Sequence, residues 1–571
     1  MKSNLDHPFY YLNNFAFVLD WVALRYRDLL DEEEAAFIAG FATLPEQSRA
    51  LLVRMIMRKG DLFRESKLRY DEIGDTARAA EPLVEIGWIE ADPVLTLDEL
   101  YGLLTKNEFA ACLDLAAQRS ARKSAKKSEL HAVALGMGLP ARPYSTWSAA
   151  GAERAWRIRV GALCDRIRLM FFGNLYQDWS EFILADLGVY TYEKVDFSLA
   201  SRAFHMRGDI ELYLHYQACR ERFHATEADA VTTPREEGEP DTSADCLAHI
   251  EQDIMVPACD NPWLRERRAR LLFQIAQRHE QQGDHADALR VYALCGYPGA
   301  RLRRIRVLEK SEQVAEAAAL ADHALIAPEN AAESQQLLRV LPRLRRKLGL
   351  SRLDKEVRHP VPVIEMILPR PEQAFYVEDL VCAHVAAADT ASHVFYVENA
   401  LINSLFGLLC WDAIFHAVPG AFFHPFQSGP ADLHGADFVK LRQEQIDACL
   451  AQLESNAYQD TIRGNFVRKS GVQSPFVYWG ALDEALLEHA LLCIPAAHLA
   501  RWFERILQDI PANRSGFPDL IQFWPDERRY RMIEVKGPGD RLQDNQLRLL
   551  DFALSHAMPL AVCYVTWDGE A

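Results

Sequence analysis

No stretch of this 571-residue chain stays apolar over the roughly 20 residues that a bilayer crossing requires. The opening, Met1-Lys2-Ser3-Asn4-Leu5-Asp6, lacks the basic and then apolar regions of a secretory signal. These absences predict an intracellular protein, in the cytoplasm or nucleoid if the source is bacterial, with no membrane partner. Cysteine pairing is missing too. The eleven cysteines are scattered from Cys112 to Cys563, odd in number, with no C-x-x-C pair. A chain of this length needs no disulfide framework, so they read as small buried hydrophobes, and a zinc site is not expected. An excess of positive charge is also lacking. The net charge is -18, and a uniform field of that sign repels phosphate, so a nucleic-acid-binding face has to come from local asymmetry.

That asymmetry is present. Residues 119–127 (RSARKSAKK) carry five bases and no acid, and residues 261–310 carry eleven Lys or Arg against five acids. Residues 226–245 carry seven acids and one base among Pro, Gly, Ser and Thr, the composition of a disordered linker. Hydrophobic content of 49% with 25% charged residues is that of an ordinary globular protein, and the length divides into roughly three to five domains.

Apolar residues recur every three to four positions in YYLNNFAFVLDWVALRY, so the first 75 residues are expected to be helical. Pro82 to Ile89, followed by Leu95 to Leu104, reads as a short turn-rich, winged-helix-like piece. Thr105 and Glu108 have capping-box spacing, and Ser128-Glu129-Leu130 starts a second short helix beyond the basic run. Two short helices with a basic connection suit contact with a nucleic-acid backbone. Residues 262–350 read as antiparallel helix pairs, similar to tetratricopeptide repeats, with Ala288 and Tyr292 in the second helix. After Pro369-Arg370-Pro371 a helix is expected over about 396–416. The closing segment changes period, to strands Leu520–Trp524 and Tyr530–Val535, a helix at 542–556 with Leu547, Leu550 and Leu554 on one face, and a strand Ala561–Thr566.

The chemistry concentrates in GFPDLIQFWPDERRYRMIEVKGPGDRLQDNQ, residues 516–546. Asp519 follows a Gly-x-Pro turn at the opening of one strand, and the returning strand ends at Glu534-Val535-Lys536. Side chains alternate along a strand, so Glu534 and Lys536 share a face, and a hairpin sets Asp519 beside Glu534. Two carboxylates and an ammonium around one point suit phosphodiester hydrolysis. Hard oxygens bind Mg²⁺ or Mn²⁺, with the Val535 carbonyl as a further ligand, and Lys536 orients a water or offsets charge on the phosphate. Asp526 and Glu527 read as turn residues.

This string resembles the virus-type replication-repair nuclease domain, a branch of the PD-(D/E)xK superfamily, and within it the Fanconi-associated nuclease family of DNA interstrand-crosslink repair, bacterial type. The stretch YYLNNFAFVLDWV...LVRMIMRKGDLFRESKLRYDEI looks like that family's N-terminal region, the basic helical pair like its SAP-type module, and 262–350 like its tetratricopeptide-like segment. The resemblance implies that Asp519 and Glu534 are metal-binding acids, Lys536 the catalytic lysine and Gln546 a helix glutamine near the site. It also implies that Glu398, in VENALINSLFGLLCWDAIF, is a further metal ligand carried by a helix. By residue type alone Glu398 is only an acid on the first turn of an apolar helix, and Gln546 only a polar residue on an exposed helix face.

The implied fold is multidomain and mainly α. It has a helical N-terminal region (1–75), a SAP-type or winged-helix-like DNA-binding region (76–170), a helical connector (171–225), an acidic flexible linker (226–250), tetratricopeptide-like helical repeats (251–370) and a C-terminal α/β PD-(D/E)xK nuclease domain (371–571). The implied activity is a metal-dependent endonuclease cutting near 5′ flaps and junctions, with 5′-to-3′ exonuclease action and two Mg²⁺ or Mn²⁺ ions per site. Branched DNA is the expected partner, and repair proteins are expected on the helical repeats. Candidate phosphate contacts are Lys59, Arg64, Lys67, Arg122, Lys123, Lys126, Lys127, Arg154, Arg157, Arg159, Arg265, Arg268, Arg303 and Arg304. The competing readings are a junction resolvase-like endonuclease of the same superfamily and a non-catalytic DNA- or protein-binding scaffold.

Overall fold

An apolar stripe at helical spacing (Tyr11, Phe15, Val18, Leu19, Val22) buries one side of the first helix, Tyr10–Arg25. The computed structural model to which this helix belongs describes residues 7–113, 126–147, 153–179, 181–182, 188–232, 242–255, 259–351, 360–373, 375–435 and 437–569. They form two units, Met1–Thr191 with Arg202–Ile210, and Tyr192–Ser201 with Glu211–Ala571.

In the first unit, helices Glu32–Thr43 and Glu46–Ile56 follow the first, and Asp31 with Glu34 closes a capping box at the head of Glu32–Thr43. The turn-rich reading of Pro82–Ile89 is corrected: Pro82 lies inside a helix, Thr76–Glu85. The buried face of Ala79, Ala80 and Leu83 outweighs the one backbone bond that proline cannot make. Strand Ala155–Ile158 pairs antiparallel with both Leu62–Arg64 and Ile89–Ala91. The two short helices Leu97–Leu103 and Lys106–Cys112 each carry a capping box, Thr96/Glu99 and Thr105/Glu108. With helix Lys127–Leu135 they close over Leu100, Phe109, Leu130 and Trp147. Most of the basic run falls outside the described residues.

Helix reaches into the segment read as a linker, 226–250, from both sides, as Arg207–Thr232 and Thr242–Ile254. Residues 233–241 lie outside the described residues. In the second unit, helices Pro262–Gln282, His285–Leu294, Ala300–Lys310, Val314–Ile326 and α1 (Ala331–Lys347) follow in succession. They share two cores, one around Leu272, Ile275, Ala288 and Tyr292 and one around Ile305, Ala317, Leu337 and Leu341.

The C-terminal sheet has five strands: β1 (Val363–Leu368), β2 (His393–Tyr396), β3 (Leu520–Trp524), β4 (Arg529–Lys536) and β5 (Leu560–Trp567). Their order is β1-β5-β4-β3-β2, with β5 parallel to both neighbours and the other pairs antiparallel. This sheet therefore begins at Val363, inside the range assigned to the repeats. Alternation divides the side chains between two cores. Leu520, Ile533, Val535 and Cys563 face α2 (Val377–Ala388), through Val381 and Val385. Ile521, Phe523, Met532 and Val562 face the larger core, with Leu405 of α3 (Leu401–Leu409), Trp502, and Leu549 and Leu550 of α4 (Asp544–Ser555).

Two helix expectations change. The helix foreseen over 396–416 begins only at Leu401, because Tyr396 still pairs with Leu520 of β3 and Asn399 turns the chain with a left-handed φ of 52°. The buried face of α4 centres on Leu549, Leu550 and Ala553, with Leu547 and Leu554 half-buried. Gly407 lets α3 press against the loop at 476–477: a Cβ there would lie 2.7 Å from the Phe476 Cβ and 2.9 Å from the Val477 Cγ2. Gly407→Ala is therefore expected to destabilise the protein by about 1–3 kcal/mol, read from the shift of its urea midpoint at unchanged slope.

Candidate active site

The β3–β4 register pairs Leu520 with Ile533, which sets Asp519 opposite Glu534 one step further along. By alternation Asp519, Glu534 and Lys536 all fall on the sheet face that α4 covers. All three are buried. Asp519 Oδ2 accepts the Val535 N–H at 2.7 Å, and its carbonyl accepts the Val397 N–H at 2.8 Å. Glu534 Oε1 accepts from Lys536 Nζ at 2.6 Å and from Gln546 Nε2 at 2.5 Å. Gln546 sits at the third position of α4, where its Oε1 also accepts the Gln543 N–H at 2.8 Å. One amide thus caps the helix and holds the Glu534 carboxylate.

Glu398 is not on a helix turn, as foreseen, but in the exposed turn between β2 and α3. Its Oε2 accepts from the Tyr396 hydroxyl at 2.5 Å. The next residue, Asn399, accepts the Phe517 N–H through Oδ1 at 3.0 Å. The buried Asn403 amide donates to the Asn399 carbonyl at 2.6 Å and the Arg514 carbonyl at 2.7 Å. Two asparagines therefore lace the Glu398 turn to the turn that launches Asp519. No periodicity marks them, since the partners that tie them to the Asp519 turn, Phe517 and Arg514, lie more than 100 positions away.

Burial, opposed by the Val535 N–H and Lys536, pushes the Asp519 carboxyl up to about 6. The fields of Glu378 and Glu398 raise it further. Burial and then the Asp519 charge push Glu534 up to about 7. Glu378 is an acid that sequence reasoning missed. It lies on the first turn of α2 and carries no signal beyond the usual acid at a helix N-terminus.

Among the described residues no three His, Cys, Asp or Glu side chains converge as a ready metal cage. The donor set nonetheless fits Mg²⁺ or Mn²⁺. Buried hard-oxygen carboxylates whose pKa is raised by burial and by neighbouring acids gain most from a divalent cation.

The candidate phosphate contacts divide. Lys59, Lys67, Lys126, Arg154 and Arg265 are exposed, and Lys127 is half-buried with its ammonium 4.1 Å from the Tyr101 ring centroid. Arg64 is buried between Glu108 (2.8 Å) and Glu153 (2.5 Å), and this pairing holds Glu108 down at about 2. Arg157 pairs with Glu99, Arg159 with Glu90 and Arg303 with Glu280. Arg268 donates to the Ile254 carbonyl, and Arg304 is half-buried. Arg122 and Lys123 lie outside the described residues.

Comparison with known proteins matches three family models: "FAN1, HTH domain" over residues 9–90, "Fanconi anemia-associated nuclease SAP domain" over 94–147 and "VRR-NUC domain" over 453–567. The last range holds Asp519, Glu534, Lys536 and Gln546 but not Glu398. The chain is 53% identical over 568 residues to a Pseudomonas aeruginosa protein described as a Fanconi-associated nuclease 1 homolog, covering 99% of this chain and 97% of that one. An Arabidopsis thaliana protein of the same description is 24% identical over 97% of this chain and 67% of its own length. A crystal structure described as paFAN1 bound to 5′ flap DNA with a gap superposes with a TM-score of 0.90, at 52% identity over 99% of both chains.

The raised carboxyls make a signed prediction. An acid with a raised native pKa binds its proton more tightly when folded, so metal-free stability falls as pH rises from 3.8 and 4.5 toward about 6 and 7. Asp519→Asn or Glu534→Gln, which keep an acceptor oxygen, are expected to gain roughly 1–3 kcal/mol at pH 8 and nothing below about pH 4. Thermal melts in EDTA across pH check this; a gain that grows toward low pH would contradict it.

Proposed function

The chain belongs to the Fanconi-associated nuclease family, and on that premise we propose that it hydrolyses phosphodiesters of branched DNA, cutting near 5′ flaps and junctions and proceeding 5′ to 3′. The observation that carries this reading is the Asp519, Glu534, Lys536 and Gln546 cluster at the mouth of the β3–β4 hairpin. Asp519, Glu534, Glu398 and the Val535 carbonyl would hold two Mg²⁺ or Mn²⁺ ions. Bound there, such ions supply Lewis acidity at the phosphate and a more acidic water. The chain's own groups do the rest. Gln546 fixes Glu534 from the helix side, and Lys536 Nζ donates into the same point from the strand, within reach of a water or a phosphate oxygen. Tyr396 orients Glu398 from its own strand end.

DNA binding is assigned to the helix-turn-helix and SAP regions, through exposed bases such as Lys59, Lys67 and Lys126, and to Arg154 just beyond them. The helices at 262–347 are proposed as tetratricopeptide-like repeats that also receive repair proteins. Interstrand-crosslink repair in an intracellular setting is the proposed role. Among the described residues, no helix is long and apolar enough to cross a membrane. The intact acid–lysine set disfavours a non-catalytic scaffold.

The test is cleavage of an end-labelled 5′ flap with Mn²⁺ or Mg²⁺, with a 3′ flap and plain duplex as controls. The wild type is expected to prefer the 5′ flap and to stop when the metal is chelated. Glu534→Ala abolishes cutting, and Lys536→Ala lowers kcat on the order of 10²–10³-fold, both with flap binding retained. Symmetric paired cuts by a stable dimer would favour a junction resolvase. Tight flap binding by a wild type that never cuts would favour a scaffold.

A further inference from the structure

The position of Glu534 depends on Gln546, and the position of Gln546 depends on where α4 begins. Two contacts set that beginning. On the inside, Gly516, with φ of 90°, lies against the backbone of Asn545: a Cβ there would be 3.1 Å from the Asn545 carbonyl carbon. On the outside, the first residue of α4, Asp544, is gripped by α1, the last of the successive helices before the sheet. Gln336 Nε2 donates to Asp544 Oδ2 at 2.6 Å, and an Arg339 guanidinium nitrogen lies 2.6 Å from Oδ1. Gln335 Nε2 donates to the Asp544 carbonyl at 3.3 Å, and Gln335 Oε1 accepts from Arg548 at 2.6 Å. Residues 335, 336 and 339 share one face of α1. Behind them, Arg306 of the helix Ala300–Lys310 donates to Gln336 Oε1 at 2.9 Å, so Gln336 is itself held from the helical region.

We infer that Gln336 and Arg339 are positioning residues for catalysis: they clamp the first turn of α4 through Asp544, and so aim Gln546 at Glu534. The inference rests on the nuclease reading above and adds to it that the helical region sets the geometry of the active site. The Arg339–Asp544 pair is well exposed, with 41% and 39% of the side chains accessible. Exposed pairs contribute little to global stability. A purely structural role would therefore leave almost nothing to see when the clamp is cut. A positioning role leaves a specific loss, because outer-shell partners of metal ligands commonly change metal affinity or activity by 10- to 100-fold.

The experiment uses the full chain and four proteins: wild type, Arg339→Glu, Arg339→Lys and the milder Gln336→Ala. Steady-state cleavage of the 5′ flap gives kcat and KM, and calorimetry gives Mn²⁺ affinity without DNA. Thermal melts in EDTA check that the variants fold. Arg339→Glu is expected to lower kcat about tenfold at nearly unchanged KM and to weaken Mn²⁺ binding severalfold. Gln336→Ala moves both the same way by less, and Arg339→Lys restores most of the loss. An active wild type matched by Arg339→Glu and Gln336→Ala in kcat and Mn²⁺ affinity overturns the inference alone. If Arg339→Glu does not fold, Gln336→Ala decides by the same two readouts. A wild type that neither cuts nor binds Mn²⁺ overturns the nuclease reading and this inference with it.

Discussion

Asp519 and Glu534 face each other across one antiparallel strand pair, buried, with like charge. A lone carboxylate in a low-dielectric wall is costly, and a second beside it raises the cost. The native protein offsets this with a small set of donors: the Val535 N–H on Asp519, and Lys536 and Gln546 on Glu534. They come from two elements, β4 and the start of α4. The strand pairing supplies the first two, and the helix N-terminus supplies the third. The five-stranded sheet, the Asn399 and Asn403 lacing and the docking of α4 can all be understood as holding this destabilised point in place.

The same logic accounts for what could be read from residues alone. Asp519, Glu534 and Lys536 were legible because strand alternation and a hairpin are local rules: spacing determines which side chains share a face. The strand–strand–helix–strand order at 520–567 followed from the same periodicity. The Glu398 turn was misread as helix because LINSLFGLLCW is a long apolar run. Only tertiary pairing, Tyr396 with Leu520 of β3, tells where the strand stops and the helix starts. Glu378, Asn399 and Asn403 were invisible for that reason too: their partners are distant in sequence and their residue types are common.

The basic residues teach the reverse lesson. Residues 261–310 are rich in arginine, yet several of these guanidiniums grip carboxylates between helices. Arg290 holds Glu251, Arg301 holds Glu333 and Arg303 holds Glu280. These acids are buried. Against burial, His279 and Arg290 draw Glu251 down to about 2. Charge density along the sequence therefore overstates the field available to DNA. Arg64, buried between Glu108 and Glu153, is the clearest case.

This bears on how a chain of net charge -18 handles a polyanion. Arginines committed to buried acids give the helical region stiffness rather than affinity. Among the described residues, the bases left exposed, such as Lys59, Lys67, Lys126 and Arg154 in the first unit, provide a local positive field. Binding built on few phosphate contacts has a shallow salt dependence. Selectivity must then come from the shape of the branched junction more than from total electrostatic attraction. On the proposed reading, a divalent cation held by Asp519 and Glu534 would suit such a protein, because it would add positive charge at the scissile phosphate beside carboxylates that gain from it.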